Sequence, residues 1–310
     1  MPLPPETSKT VPSEPPIGGS ARTSGLRRRW LLNAGLLALI AVLAWAAIHR
    51  SGQQKPASGP PLTALSAATI SHIRIEQPGH PAIVLEKSEG PWRLAEPVQA
   101  RANIFNVDSL LRMLSAPVET RFPAQPEELA KFGLDKPRSR VWFENDEIAF
   151  GALHPLNNRI YVLYKNQVAL ISGNLLAPAI YPYTNFINSR LFEQGRTLTG
   201  IELPGFTLTL KDGVWHRQPE DKKLSTDEIN DFVSEWQNAS ALTVDKYSGK
   251  KALGKIGVTS TLDGKNGKLL LGILSYKPDF VLQRPDEKLE YHFTEDTGKR
   301  LLNLTGSGKP

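Results

Sequence analysis

Chemistry needs histidines, carboxylates, thiols or hydroxyls held at fixed spacings, and this chain is sparing with such patterns. Its six histidines are His49, His72, His80, His154, His216 and His292. No two stand at the i, i+4 spacing that places imidazoles on one helix face, and H-E-x-x-H is absent. There is no cysteine, which excludes disulfides, thiolate nucleophiles and thiolate-bound zinc. Adjacent acidic pairs at Glu127-Glu128, Asp227-Glu228 and Asp286-Glu287 have the composition of general acid–base sets. The first two fall at expected helix starts, where carboxylates complement the helix dipole, and the third in a turn. Thr305-Gly306-Ser307-Gly308-Lys309 has the end of a phosphate loop, but Asn303 occupies the place of its first glycine. G-x-S-x-G is missing as well. No catalytic, cofactor-binding or metal-ligating set emerges.

Residues suited to contact rather than catalysis are easier to find. Tyr181, Tyr183, Asn185 and Phe186 cluster with Thr184 and Asn188 in AIYPYTNFINSRLF. Such a mixture of aromatic and amide side chains is the composition of a partner or ligand surface, or of packing at a junction. Trp92 and Trp215 have faces able to stack on a sugar, yet their equivalent placement in a repeat favours core packing.

That repeat supplies the elements that must position these groups. Gly90, Trp92 and Pro97 recur as Gly213, Trp215 and Pro219, a spacing of 122 or 123 residues. Pro81, Ile83 and Leu85 recur as Pro204, Phe206 and Leu208. Each set reads as a hairpin with an acidic-glycine turn. Val107, Leu110, Leu111 and Leu114 form one apolar helix face, and Ile229, Phe232, Val233 and Trp236 repeat it. Asn103 and Ser225 stand at the N-cap positions, and Ser225 with Glu228 completes a capping box. Strands are expected at 140–143, 147–150, 160–163 and 167–171, and again at 258–262, 268–271, 280–283 and 290–293. Asp263-Gly264 and Asn266-Gly267 mark a turn between two of these. A short helix closes each unit, at 175–180 and 297–302. The expected fold class is α+β: two tandem repeats of β-hairpin, helix and antiparallel strands.

Ahead of the repeats, 30–48 reads WLLNAGLLALIAVLAWAAI, an uncharged stretch from Trp30 to Ile48. As a helix it spans ~28 Å, the thickness of a bilayer core. Arg27, Arg28 and Arg29 abut its start, so the N-terminus is expected in the cytoplasm and the bulk outside. A retained anchor, a cleaved signal ending at Ala44-Trp45-Ala46 and a twin-arginine signal all use such residues. The 29-residue lead and long apolar core favour the anchor. Although the net charge is +6, residues 1–50 hold Lys9, Arg22, Arg27, Arg28, Arg29 and Arg50 against Glu6 and Glu14. The remainder is nearly neutral, which argues against a nucleic-acid partner. The expected organisation is a disordered cytoplasmic tail (1–29), a transmembrane helix (30–48), a linker (49–65), the first repeat (66–196), the second (197–304) and a frayed tail (305–310).

Three motifs resemble a known family. They are Gly90-Pro91-Trp92-Arg93-Leu94 with Pro97, Phe132-Gly133-Leu134-Asp135-Lys136-Pro137, and Ile148-Ala149-Phe150-Gly151 followed by Ile160-Tyr161-Val162. Together they resemble the bacterial family known as domain of unknown function 4340, over roughly residues 72–192. The second repeat shows only Ala252-Leu253-Gly254-Lys255 near the place of the G-L-D-x-P segment. Members of the family are often membrane-anchored, and some are linked to ABC-transporter and gliding-motility auxiliary components. The resemblance implies a fold and supplies no catalytic residue. The resulting expectation is a single-pass inner-membrane protein with its bulk in the periplasm. Its duplicated domain would bind a protein partner, such as an ABC-type transport complex. A lipid- or glycan-binding module and an envelope hydrolase are the alternatives.

Overall fold

The computed structural model describes residues 59–88 and 90–304, together with 33, 35–40, 42 and 45. The described residues within 30–48 are helical and exposed. Among the described residues no helix is long and apolar enough to cross a membrane. Most of the expected anchor, both tails and most of the linker lie outside the described residues, as do His49 and the 305–309 glycine motif.

Nine strands build the first sheet: β1 (His72–Glu76), β2 (Ile83–Glu86), β3 (Arg93–Glu96), β4 (Ala100–Arg101), β5 (Thr120–Pro123), β6 (Ser139–Phe143), β7 (Asp146–Leu153), β8 (Arg159–Tyr164) and β9 (Gln167–Ser172). Eight build the second: β10 (Thr197–Leu203), β11 (Phe206–Lys211), β12 (Val214–Gln218), β13 (Thr243–Lys246), β14 (Gly254–Leu262), β15 (Lys265–Ser275), β16 (Asp279–Arg284) and β17 (Leu289–Thr294). The first runs β4-β3-β2-β1-β6-β7-β8-β9-β5 and the second β12-β11-β10-β14-β15-β16-β17-β13. Apart from β4, the two orders are the same when each strand is matched by its rank in the chain. Every pairing is antiparallel, so the architecture is α+β with two antiparallel sheets. Both sheets lie in one compact unit.

Each sheet carries a helix at the same point of its sequence: α1 (Ile104–Leu111) and α3 (Thr226–Gln237). Asn103 caps α1 by accepting from the Phe105 N–H, and Ser225 caps α3 with a complete capping box. Val107 and Leu110 are buried from α1, and Ile229, Phe232, Val233 and Trp236 from α3. Trp236 is wholly buried, and its indole N–H donates to the Leu301 carbonyl at 2.8 Å. That bond avoids the cost of an unpartnered buried donor. Short helices α2 (Leu176–Ala179) and α4 (Glu295–Leu302) follow the last strand of each sheet.

Two local expectations change. The turn between β14 and β15 is Asp263-Gly264 alone, with Leu262 paired to Lys265 and positive φ at both central residues. That is the conformation a two-residue hairpin of right-handed twist requires. Asn266 and Gly267 lie within β15 instead, opposite Thr261 and Ser260. The fold also begins before residue 66. Leu62 is buried, its N–H donates to Ala116, and the Thr63 N–H donates to Leu114.

Two of the motifs quoted above meet in space. Gly133 ends the 3-10 helix Pro126–Phe132 in the left-handed conformation, φ 66°, and buried Leu134 follows. Gly151 on β7 faces this turn: a Cβ there would lie 2.3 Å from the Phe132 carbonyl oxygen. The missing side chain lets the turn sit on the strand.

Candidate functional site

The aromatic and amide residues singled out from sequence sit where the first sheet passes to the second. Tyr183–Phe186 is a 3-10 helix, with Phe186 wholly buried, Tyr181 and Tyr183 half-buried, and Asn185 exposed. The Tyr181 and Phe186 rings pack at 6.3 Å. From Phe186 onward the chain is threaded between the two sheets. Phe186 accepts from the Asn103 N–H and Asn188 donates to Arg101, both at 2.8 Å. On the other side Leu191 donates to Ala239 and Ser189 accepts from Ala241. Tyr183 reaches across, its hydroxyl donating to Asp245 Oδ1 at 3.1 Å. Burial raises the Tyr183 phenol, and that hydrogen bond raises it further.

A cleft of about 220 Å³ opens at this junction, lined in part by Asn103, Asn106, Thr184, Asn185, Leu242 and Thr243. Leu242 is 69% exposed, and Phe105, between two of the lining residues, is 83% exposed. Large apolar side chains left in water beside a polar cleft are the ingredients of a contact surface.

Beneath the junction lies a cluster of charges that local sequence patterns do not announce. Arg101 from β4 donates to Glu287 Oε1 at 2.7 Å, to the Arg190 carbonyl at 2.7 Å and to the Tyr291 hydroxyl at 2.9 Å. Tyr291 donates in turn to Glu287. Arg284 on β16, 2% exposed, donates to the Leu191 carbonyl at 2.7 Å and pairs with Asp286 at 2.6 Å and Glu193 at 3.3 Å. Arg196 closes the set on Glu193. Burial alone would raise the Glu193 carboxyl, but the Arg196 hydrogen bond and the Arg284 charge outweigh it and bring it down to about 2. Burial pushes the Tyr291 phenol up, and Glu287 adds to the rise. For Arg284, burial works against the charge and is overcome by Asp286 and Glu287. With Glu193 held ionised and the carboxylates tied to guanidinium groups, this cluster acts as a clamp between the sheets.

The remaining candidates are placed apart. Asp286-Glu287 does stand in a turn, but its partners are the arginines of the clamp. Glu127-Glu128 and Asp227-Glu228 occupy the first turns of their helices. His292 contacts Glu290 at 3.2 Å, His154 stacks near Tyr161 at 5.8 Å, and His80 and His216 are exposed. Among the described residues no three His, Asp or Glu side chains are grouped to hold a metal. Trp92 is buried, as core packing demands, whereas Trp215 is half-buried and lines an open groove.

A model of the family described as a domain of unknown function (DUF4340) matches residues 92–258, more than half of the chain. The chain belongs to the DUF4340 family. The match begins at Trp92, beside β3 of the first sheet, and ends at Val258 in β14 of the second. It starts later than the resemblance read from the motifs and runs on past Phe192 across the junction. The family model thus takes in the 3-10 helix Tyr183–Phe186 and, from the clamp, Arg101, Glu193 and Arg196 but not Arg284, Glu287 or Tyr291. No curated protein and no solved structure matches the chain.

Proposed function

We propose that this DUF4340 protein is a single-pass bacterial inner-membrane protein whose duplicated periplasmic part binds a protein partner, as an accessory to an ABC-type transport or envelope complex. The uncharged 30–48 stretch and the three arginines before it support the anchor and its orientation. The shared strand order supports a duplication of one ancestral unit. The observation that carries the partner reading is the junction. Two sheets are fastened there by a buried ionic clamp, and exposed Phe105 and Leu242 stand beside a cleft lined by the start of α1, the junction segment and the start of β13. A rigid two-sheet body presents such a surface at little ordering cost on binding.

The cleft is smaller than the ~300 Å³ lower bound usual for sites that take drug-sized ligands, which sets the lipid or glycan reading behind the protein partner. The test is affinity purification of the full chain from gently solubilised membranes. A stoichiometric protein companion is expected, and it should be lost from a Phe105→Asp, Leu242→Asp double variant. Recovery of the chain alone, as a monomer, contradicts the reading.

A further inference from the structure

The hairpins at the outer edges of the two sheets end differently. In the first sheet β4 adds to β3, with Arg93 opposite Arg101 and Leu94 opposite Ala100. The Ala102 N–H continues the ladder by donating to the Trp92 carbonyl at 3.2 Å. Ala100 and Ala102 are buried, and Trp92 beside them is 6% exposed. Counting the repeat forward from Pro97 to Pro219, the places of Ala100, Arg101 and Ala102 fall to Lys222, Lys223 and Leu224. A lysine in the place of buried Ala100 would carry its ammonium out of water, at heavy cost. The chain turns away instead. Asp221 Oδ1 accepts from the Lys223 N–H at 3.0 Å, and the Asp221 carbonyl accepts from the Leu224 N–H at 3.1 Å.

This turn leaves β12 as the terminal strand of its sheet, paired only with β11 among the described residues. Beside it lies an open groove of about 900 Å³, with Trp215, Arg217, Leu224 and Ile229 among its lining residues. Arg217 stacks over the Phe206 ring at 4.7 Å and donates to the Pro219 carbonyl, while its Nε is buried with no hydrogen-bond partner. Lys211, Arg217 and Lys222 line the groove against Glu220 and Asp221, and Asp221 is already engaged by the backbone. Exposed edges in natural proteins are usually covered or blunted. Here the first sheet shows what covers one: a short extended segment with small side chains facing inward.

We propose that β12 is a docking edge for an extended segment of a partner protein, which adds as a further strand in the place β4 takes in the first sheet. An acidic side chain of that segment faces Arg217, and a small one faces Trp215. Main-chain bonds to the edge supply the affinity, and the alternate side chains supply the choice of partner. The inference rests on the partner-binding reading and gives it a second surface, apart from the junction.

The probe is a synthetic peptide of residues 97–103 with Ala100→Glu, which places the carboxylate opposite Arg217 in the register of β4. It is titrated into the full chain in detergent, with binding followed by peptide anisotropy and the β12 amides by hydrogen exchange. Saturable binding and slowed exchange at 214–218 are expected, with the unmodified peptide weaker by ~tenfold, the loss of one ~1.4 kcal/mol contact. Grafting the β4 sequence onto the second sheet (Glu220→Val, Asp221→Gln, Lys222→Ala, Lys223→Arg, Leu224→Ala) should fill the groove from within and abolish peptide binding. Should the graft not fold, Arg217→Glu provides the check: it must reject the Glu peptide and accept one with Ala100→Lys. Absence of binding, binding without protection of β12, or no charge reversal overturns the proposal. A companion protein recovered from membranes together with a silent β12 would remove the edge and leave the partner reading standing.

Discussion

Trp92 and Trp215 hold equivalent places in two sheets of one strand order, yet one is sealed and the other lines a groove. The difference follows from a few side chains. Alanines at 100 and 102 let the chain lie flat on β3 and bury itself, whereas Lys222 and Lys223 send it outward through an Asp221 turn. A β-sheet edge is thus decided by whether the next few residues tolerate burial, and a strand order shared everywhere else does not imply identical edges. The other asymmetry concerns the G-L-D-x-P turn: a backbone carbonyl, that of Phe132, sits on Gly151 of β7, whereas Gly272 of β15 is faced by the side chains of Gln283 and Ala252. The first sheet is covered at its outer edge where the second is open, and its glycine contact is made by backbone rather than by side chains.

Perturbing the clamp should give the largest effect, because it belongs to both sheets. Arg284→Ala removes the buried guanidinium that Asp286, Glu287 and Glu193 share, leaving Glu193 to Arg196, and should cost ~3–5 kcal/mol in denaturant unfolding, as for a broken buried pair. Arg284 is on the second sheet, so a loss confined to that sheet would show that the two are not fastened together. Acid gives the next largest effect. The Glu193 carboxyl lies near 2 in the fold against 4.5 when free. Its stabilisation is therefore complete above pH 4.5 and is lost as pH falls towards 2. Partial exposure of the group limits this to roughly 2–3 kcal/mol, and Glu193→Gln should flatten that part of the stability–pH curve.

The glycine pair separates the sheets more finely. Gly151→Ala drives a Cβ to 2.3 Å from a backbone carbonyl and should cost ~1–3 kcal/mol by overpacking. Gly272→Ala meets the movable Gln283 side chain at 2.8 Å and should cost clearly less by the same unfolding assay. Equal losses would erase the distinction. The helix caps come last: Ser225→Ala loses a two-way capping box and Asn103→Ala a single bond. Each should lower the melting midpoint by an amount corresponding to ~1 kcal/mol, with Ser225 the larger.

Much of the fold was legible because it is written in local periodicity. The strands expected at 140–143 and 160–163 are the cores of β6 and β8, and the face Ile229, Phe232, Val233 and Trp236 is the buried side of α3. Strands β1 and β10 also left a signal, in alternating Ile73 and Ile75 and in the Pro78-Gly79 and Pro204-Gly205 dipeptides that follow them, the second a two-residue turn with Leu203 paired to Phe206. The two-residue β4 is too short for any period to reveal. Its existence depends on Ala100 and Ala102 fitting against the Trp92 region. The clamp was out of reach for a different reason. Arg101 and Tyr291 are 190 residues apart, and no local pattern brings them together. The junction residues Tyr181, Tyr183, Asn185 and Phe186 were found by composition alone. Structure divides them: Phe186 packs, Tyr183 bridges to Asp245, and Asn185 lines the cleft.

The most direct measurement is site-specific photo-crosslinking of the full chain in intact membranes, with the reactive group at His216 on β12 and, separately, at Arg93 on β3. A single discrete protein adduct from His216, absent from Arg93 and from the β4 graft, is the predicted result. Equal adducts from both positions, or none from His216, would contradict an account in which the open edge of the second sheet receives the partner.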